Sequence, residues 1–379
     1  MSEVKTWLCR IALIPLLIPT TPLSCKGQET VASPTARAER VILFIIDGLA
    51  KDAPERLPMP ELQKLAEQGC RYSVMHLPLP GHPKDDPSYP WSCSMPNPML
   101  MAGTPFIGAK GIRSSMIQHQ FEPEEAAFVV NAYSYNDVSN GFGSYISHPH
   151  REDDIVIAET KRLLTESKPI FMRVHLQRPG IEGEKCSKEK YADKPWYHNI
   201  WHSTSPYRKA CLHADHLLGE FVAWLKKEDL WQGTVILVCG DHGQADEGWH
   251  EPYSASSSVT TLVIAGAGVV PGSRFEYCEI FDLSPTIAQI TGRAAPALAI
   301  GRVLREAFDS DQRPRQVPQN VFLFNKLLRA AQNRSPDQLD VLKREGFLTI
   351  DEIGQWHTTE AGTDFPGFIR LQQRLEAEY

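Results

Sequence analysis

Apolar residues in this chain gather into short unbroken runs separated by amphipathic stretches, the pattern of a sheet buried on both faces and covered by helices. The run that organises the rest is Val41 to Gly48, VILFIIDG: six apolar residues, then a carboxylate, then a glycine. It reads as a central strand, which puts Asp47 at a carboxyl end, where open α/β sheets place their ligands. A carboxylate there needs a cation or a hydrogen-bond network, because burying it unpaired is costly. A plain turn cap is the alternative reading. A second run, Thr234 to Cys239, ends in Gly240-Asp241-His242-Gly243 and so delivers an acid and an imidazole to another strand end. Further strands are predicted over 71–79, 128–133, 170–176 and 261–265, and helices over 59–69, 99–102, 154–164, 210–226 and 281–290. Strands alternating with helices predict an α/β fold, a three-layer sandwich with a mainly parallel central sheet.

Asp and His on a glycine-flanked turn are ligand types that suit zinc and similar divalent ions. Between the two acidic strand ends lies a proline-rich loop over 78–98 containing Tyr89-Pro90-Trp91-Ser92-Cys93-Ser94-Met95-Pro96-Asn97, rich in hydroxyl and thiol groups. The helix after it offers free backbone donors toward Ser94. Gly248-Trp249-His250 adds an imidazole on a polar loop. The stretch 177–207 crowds Trp196, Tyr197, His198, Trp201 and His202 together, and reads either as a substrate-specificity insert or as a flap packing on itself. Asp215, within a helical stretch, reads as a solvent or capping charge.

At these residues the chain resembles the alkaline phosphatase superfamily, closest to its sulfatase-like and nucleotide pyrophosphatase/phosphodiesterase branches. The resemblance spans about Val41 to Leu304 and rests on Asp47-Gly48, the Ser94 region, Gly240-Asp241-His242-Gly243 and His250. Ser94-Met95-Pro96-Asn97 has the form of the phosphodiesterase nucleophile motif, and the sulfatase motif of Cys or Ser, one residue, then proline also selects Ser94. Cys93 is one place out of register. Two departures matter. Where the phosphodiesterase branch carries Pro-Asp-x-x-Gly-His for a second metal, this chain has Pro179-Gly180-Ile181-Glu182-Gly183-Glu184, with Glu184, His175 and His198 as stand-ins. Where sulfatases carry an arginine two residues after the proline, Pro98 stands here, which favours phosphate over sulfate esters.

The resemblance implies a metal-dependent hydrolase of phosphate esters. Its metal ligands would be Asp47, Ser94, Asp241, His242 and His250, with Glu184 as a further candidate. Its cofactor would be one or two divalent ions, zinc first, with Mn or Ca as alternatives. Ser94 would be the nucleophile, activated by the metal, and Asn97 a donor to a non-bridging oxygen. His250 would hold a second ion or protonate the leaving group. A sulfuric ester hydrolase, a phospho-group transferase and a non-catalytic binding protein on the same fold are the alternatives.

Composition adds boundaries. A chain of 379 residues, 42% hydrophobic, can bury a large core, and its formal charge of −7 argues against nucleic-acid partners. The expected partner is a small phosphate or sulfate ester. Lys5 and Arg10 followed by the apolar stretch 11–23 have the layout of an export leader over 1–28, with cleavage expected ahead of lipid attachment at Cys25, the only route to a membrane. The expected location is therefore outside the cytoplasm. A linker over 29–40, the hydrolase domain over 41–305 and a helical C-terminal appendage over 306–379 complete the plan, with helices at 321–331 and 337–344 and a hairpin at 347–358. Of the eight cysteines, Cys186, Cys211 and Cys278 are bridge candidates, and Cys70 and Cys239 read as core thiols.

Overall fold

The structure, a computed structural model, describes residues 38–77, 96–103, 115–133, 135–250, 256–299, 301–314, 348–350 and 356–358. The expected leader, Cys25, Cys93, Ser94 and the two helices after residue 320 lie outside the described residues.

Eight strands form one sheet in the order β4-β3-β5-β1-β6-β7-β2-β8. In chain order they are β1 (Arg40–Ile46), β2 (Cys70–His76), β3 (Ala126–Val130), β4 (Ser144–Ser147), β5 (Phe171–Leu176), β6 (Thr234–Cys239), β7 (Val259–Gly266) and β8 (Ser273–Glu279). Only β7 runs against its neighbours, pairing antiparallel with both β6 and β2, so the sheet is mainly parallel. The two runs that end in acids lie side by side: β1 pairs with β6 on one edge and with β5 on the other, with Ile45 level with both Cys239 and His175.

Side-chain alternation divides the core in two. Val41, Leu43 and Ile45 of β1 and Val235, Leu237 and Cys239 of β6 face one layer, which includes the helices Pro96–Ala102 and Leu283–Thr291. Ile42, Phe44 and Ile46, with Ile236 and Val238, face the other, where the helices Pro60–Gln68, Asp153–Glu166 and Pro206–Lys227 pack. Those helices bury the stripes that the periodicity predicts, for example Leu217, Phe221 and Leu225. A short antiparallel pair, Leu348–Ile350 with Trp356–Thr358, occupies the expected C-terminal hairpin.

Several local expectations are corrected. The stretch 177–207 opens with a helix, Arg178–Ser187, which the sequence reading did not predict, and Pro179 at its first turn suits that start. Of the two readings of Asp215, solvent or capping charge, the capping one holds, and the residue is buried. Its carboxylate accepts from the amides of Leu62 at 2.8 Å and Glu61 at 3.1 Å, so it caps the Pro60–Gln68 helix from a neighbouring helix. Cys186, Cys211 and Cys278 are free, buried thiols, as are Cys70 and Cys239, so the expected bridge is absent among the described residues. No helix among them is long and apolar enough to cross a membrane.

Candidate active site

Odd-numbered positions carry the site. Asp47 follows Ile45, Asp241 follows Cys239, and Arg173 and His175 alternate with Met172, Val174 and Leu176 of β5, which face the opposite layer. The strand parity therefore brings two acids, an arginine and an imidazole from three adjacent strands to one face, beside the start of the Pro96–Ala102 helix. The Asp47 amide still donates to the Leu176 carbonyl at 2.9 Å, which extends the ladder one residue and fixes the carboxylate's origin. Gly48 then turns the chain at φ +62°, a region that favours glycine. The turn is pinned by Tyr207, whose hydroxyl donates to the Gly48 carbonyl at 2.8 Å and accepts from the Ala50 amide at 2.9 Å.

The aspartates divide their oxygens cleanly. Oδ2 of Asp47 accepts from Gln177 Nε2 at 2.6 Å and from the Tyr135 hydroxyl at 3.2 Å, and lies 3.1 Å from His175 Nε2. Gln177 is itself placed by its amide, which donates to Asn131 Oδ1 at 3.0 Å. Oδ2 of Asp241 accepts from Asn97 Nδ2 at 2.8 Å. Oδ1 of Asp241 accepts from the amides of Gly48 at 3.2 Å and His242 at 3.1 Å. His242 Nε2 stands 3.6 Å from Asp47 Oδ1 and 3.7 Å from Asp241 Oδ1, while its Nδ1 donates to the Gly243 carbonyl at 2.8 Å.

The charges are strongly perturbed. Burial and the neighbouring Asp241 carboxylate raise the Asp47 carboxyl well above the usual carboxylate range. Burial also opposes ionisation of Asp241, but His242, His175, the Asn97 amide and the Gly48 amide together outweigh it and bring its carboxyl down to about 2. Burial lowers the His175 imidazole to about 3, aided by Arg173 and opposed by Asp241.

A divalent cation fits this donor set. His242 Nε2 stands at ligand spacing from one oxygen of each carboxylate, since ligands about 2.1 Å from a tetrahedral zinc are roughly 3.4 Å apart. His242 also has the support that ligating histidines show, its other ring N–H held by a backbone carbonyl. Asp47, Asp241 and His242 would hold the ion. Next to them, both amide atoms of buried Gln244 are without a hydrogen-bond partner among the described residues.

Of the other predicted residues, His250 lies with its ring centroid 4.0 Å from that of His242 and 4.2 Å from that of Trp249. Gly248 at φ +91° and Trp249 at φ +72° make the turn that presents it, and a non-glycine residue in that region marks a constrained backbone. Glu184 is not brought into the group: it is on the Arg178–Ser187 helix and pairs with Lys188 at 3.1 Å. His198 stacks on Tyr197 instead. The sequence reading missed Arg173, Tyr135, Gln177 and Tyr207. Arg173 and His175 did carry a signal, as polar residues at alternate positions of an otherwise apolar strand.

Comparisons agree with this architecture. The Sulfatase family profile matches residues 105–293, a span that includes Arg173, His175, Asp241, His242 and His250. Among curated proteins, the chain is 30% identical over 98 residues to choline-sulfatase of Rhizobium meliloti (strain 1021), covering 25% of this chain and 19% of that protein. It is 28% identical over 95 residues to arylsulfatase K of Homo sapiens, covering 24% of this chain and 18% of that protein. The chain thus spans about a fifth of the length of these relatives. Among solved structures, phosphonate monoester hydrolase from Silicibacter pomeroyi superposes with a TM-score of 0.54 at 15% identity, covering 85% of this chain and 99% of that one. A protein in the alkaline phosphatase superfamily from Vibrio parahaemolyticus gives a TM-score of 0.50 at 16% identity, covering 74% and 72%. Profile match, strand-end acids and shared fold lead to one assignment: residues 105–293 carry a Sulfatase-family domain, and the chain has an alkaline phosphatase-like fold.

Proposed function

We propose that this protein is a cation-dependent hydrolase of phosphate or sulfate esters. The observation that carries the reading is the convergence of Asp47, Asp241 and His242 from two adjacent strand ends, with Asn97 bonded to one of the acids. A bound divalent cation would supply positive charge against the nucleophile and the ester oxygens. The nucleophile in this reading is the Ser94 hydroxyl, three residues before Asn97. Ser94 gives its proton to solvent water and its oxygen bonds to phosphorus or sulfur as the bond to the ester oxygen breaks; that oxygen leaves with a proton from His250, and water then cleaves the serine ester to release phosphate or sulfate. Asn97 donates one N–H to Asp241 here and so holds that carboxylate, beside its proposed part as a donor to a non-bridging oxygen. Zinc is the proposed ion.

Sulfate esters stand as an equal second reading on a specific observation. The preference for phosphate rested on Pro98 in place of an arginine. Arg173, from β5, donates to the Oδ1 of Asn97, the residue next to Pro98, and so brings a guanidinium to the neighbourhood by another route. The Sulfatase profile match points the same way.

Turnover of nitrophenyl phosphate, bis-nitrophenyl phosphate and nitrophenyl sulfate, each with Zn, Mn or Ca, tests the proposal. One ester class should be cleaved and Ser94→Ala should abolish it. Activity on none, or activity untouched by Ser94→Ala, refutes it. Product analysis in the presence of added alcohol separates hydrolysis from group transfer. Export is proposed from the basic and apolar pattern over 5–23 alone, and fractionation of expressing cells checks it.

A further inference from the structure

By distance alone, Asp47, His175 and Asp241 form a ligand triad, with one ligating atom of each within 4.8 Å of the others. The hydrogen-bond chemistry of Arg173 gives His175 a different role. Arg173 is buried on the site's face of β5. A guanidinium can only donate. Its Nη2 donates to Asn97 Oδ1 and faces His175 Nδ1 at 3.3 Å. Both contacts fix the partner's orientation. With Oδ1 engaged by Arg173, the Asn97 amide turns Nδ2 toward Asp241 Oδ2, 2.8 Å away. With Nδ1 facing a donor, the His175 ring must offer its lone pair there, since a proton on Nδ1 would set two donors against each other. The ring proton therefore sits on Nε2, which lies 3.1 Å from Asp47 Oδ2 and 3.3 Å from the Tyr135 hydroxyl, itself a donor to that oxygen. A protonated ring nitrogen has no lone pair for a metal.

Oδ2 of Asp47 then takes three donors, from His175, Gln177 and Tyr135, and Oδ2 of Asp241 takes one from Asn97. The space on the other side of Asp47 is closed as well: a Cβ at Gly180 would lie 1.7 Å from Asp47 Oδ1. The residue at this position is an acid in the two-metal branch, and here no side chain fits.

We propose that Arg173 is the positioning residue of this centre: it holds His175 as a donor to Asp47 and Asn97 as a donor to Asp241, and so restricts the site to a single cation. This rests on the proposed function, which requires a cation but leaves the number at one or two.

The test uses the full chain. Zn, Mn and Ca are added separately, free ion is removed by dialysis, and bound metal is counted per chain. In parallel, protein labelled with ¹⁵N at histidine is examined by long-range ¹H–¹⁵N correlation, with the His175 resonances identified by their loss in His175→Gln. One ion per chain is expected, with His175 protonated at Nε2 both before and after loading. Two ions per chain with ester turnover retained would overturn this inference and leave the proposed function standing. No bound ion would overturn both. A His175 Nε2 without a proton, or one whose resonance moves to a metal-bound position, would overturn the inference alone. Arg173→Met should weaken cation binding by about 10- to 100-fold, the usual effect of removing a residue that orients ligands, and release His175 into exchange between tautomers, with Arg173→Lys intermediate. An Arg173→Met protein that binds the ion as tightly as the parent and keeps the tautomer also overturns it. Should Arg173→Met not fold, the metal count and the parent spectrum decide.

Discussion

Gly180→Ala is the smallest change that tests whether the geometry around Asp47 matters. A Cβ at this position lies 1.7 Å from Asp47 Oδ1 and 2.6 Å from its Cγ, against 3.4 Å for an ordinary contact. About 1.7 Å of overlap must therefore be relieved. The helix resists moving, because Gln177 at its start is tied both to Asn131 and to Asp47. The carboxylate resists too, because its backbone amide is bonded to Leu176 and its Oδ2 to three donors. The Oδ1 atom, the one facing His242, gives way. Metal–oxygen distances tolerate only about 0.2 Å of error, so Asp47 should cease to be a competent ligand. A misplacement of this size costs about 10²-fold in turnover. The stability change is small by comparison. Replacing glycine inside a helix gains about 0.5–1 kcal/mol and overpacking costs about 1–3 kcal/mol, for a net loss of roughly 0–2.5 kcal/mol. The assay is kcat/KM on whichever nitrophenyl ester the parent cleaves, with cation affinity and thermal melting in chelator measured on the same sample. Turnover within about threefold of the parent would show that Oδ1 is not a ligand atom, and the site as built here would be wrong.

Three further outcomes follow from single contacts. Asp215→Ala removes both acceptors from the start of the Pro60–Gln68 helix and should cost about 1–3 kcal/mol in denaturant unfolding, with turnover per folded molecule unchanged. Tyr207→Phe leaves the Gly48 carbonyl and the Ala50 amide without their hydroxyl partner, so it should cost about 1–3 kcal/mol and also weaken cation binding, which Asp215→Ala should not do. Asp47→Asn probes the buried charge in chelator. The folded protein holds the Asp47 proton more tightly than the unfolded chain, whose carboxyl titrates near 3.9, so this group lowers stability progressively as pH rises from about 4 toward its folded value. The variant should therefore melt above the parent at pH 8, with the gap closing as pH falls from the folded value toward about 4. A gap independent of pH would contradict the assigned charge state.

How far the sequence could be read depends on what kind of contact made each feature. The strand ends were legible because an apolar run ending in Asp-Gly or Gly-Asp-His-Gly is a local signal, and β1 and β6 deliver Asp47 and Asp241 as that signal predicts. The strands β4 and β8 were not, because SYIS lies partly exposed at one edge of the sheet and SRFEYCE, at the other edge, mixes charged with apolar residues. Asp215 was legible only as a type, since the amides it caps lie 153 and 154 residues away. Arg173 is the instructive case. Once β1, β5 and β6 are taken as neighbours, parity alone puts 47, 173, 175 and 241 on one face, so the grouping could have been derived before any coordinates. What parity cannot give is direction: that Arg173 reaches both Asn97 and His175, and so assigns each its donor atom, depends on the Pro96–Ala102 helix packing against this face. The same holds for Gly180. In sequence it looks like an acid lost from a metal motif, whereas in the fold it is the residue whose missing side chain lets the Arg178–Ser187 helix lie against Asp47. A departure from a family pattern can thus be a steric requirement of this site, not its decay.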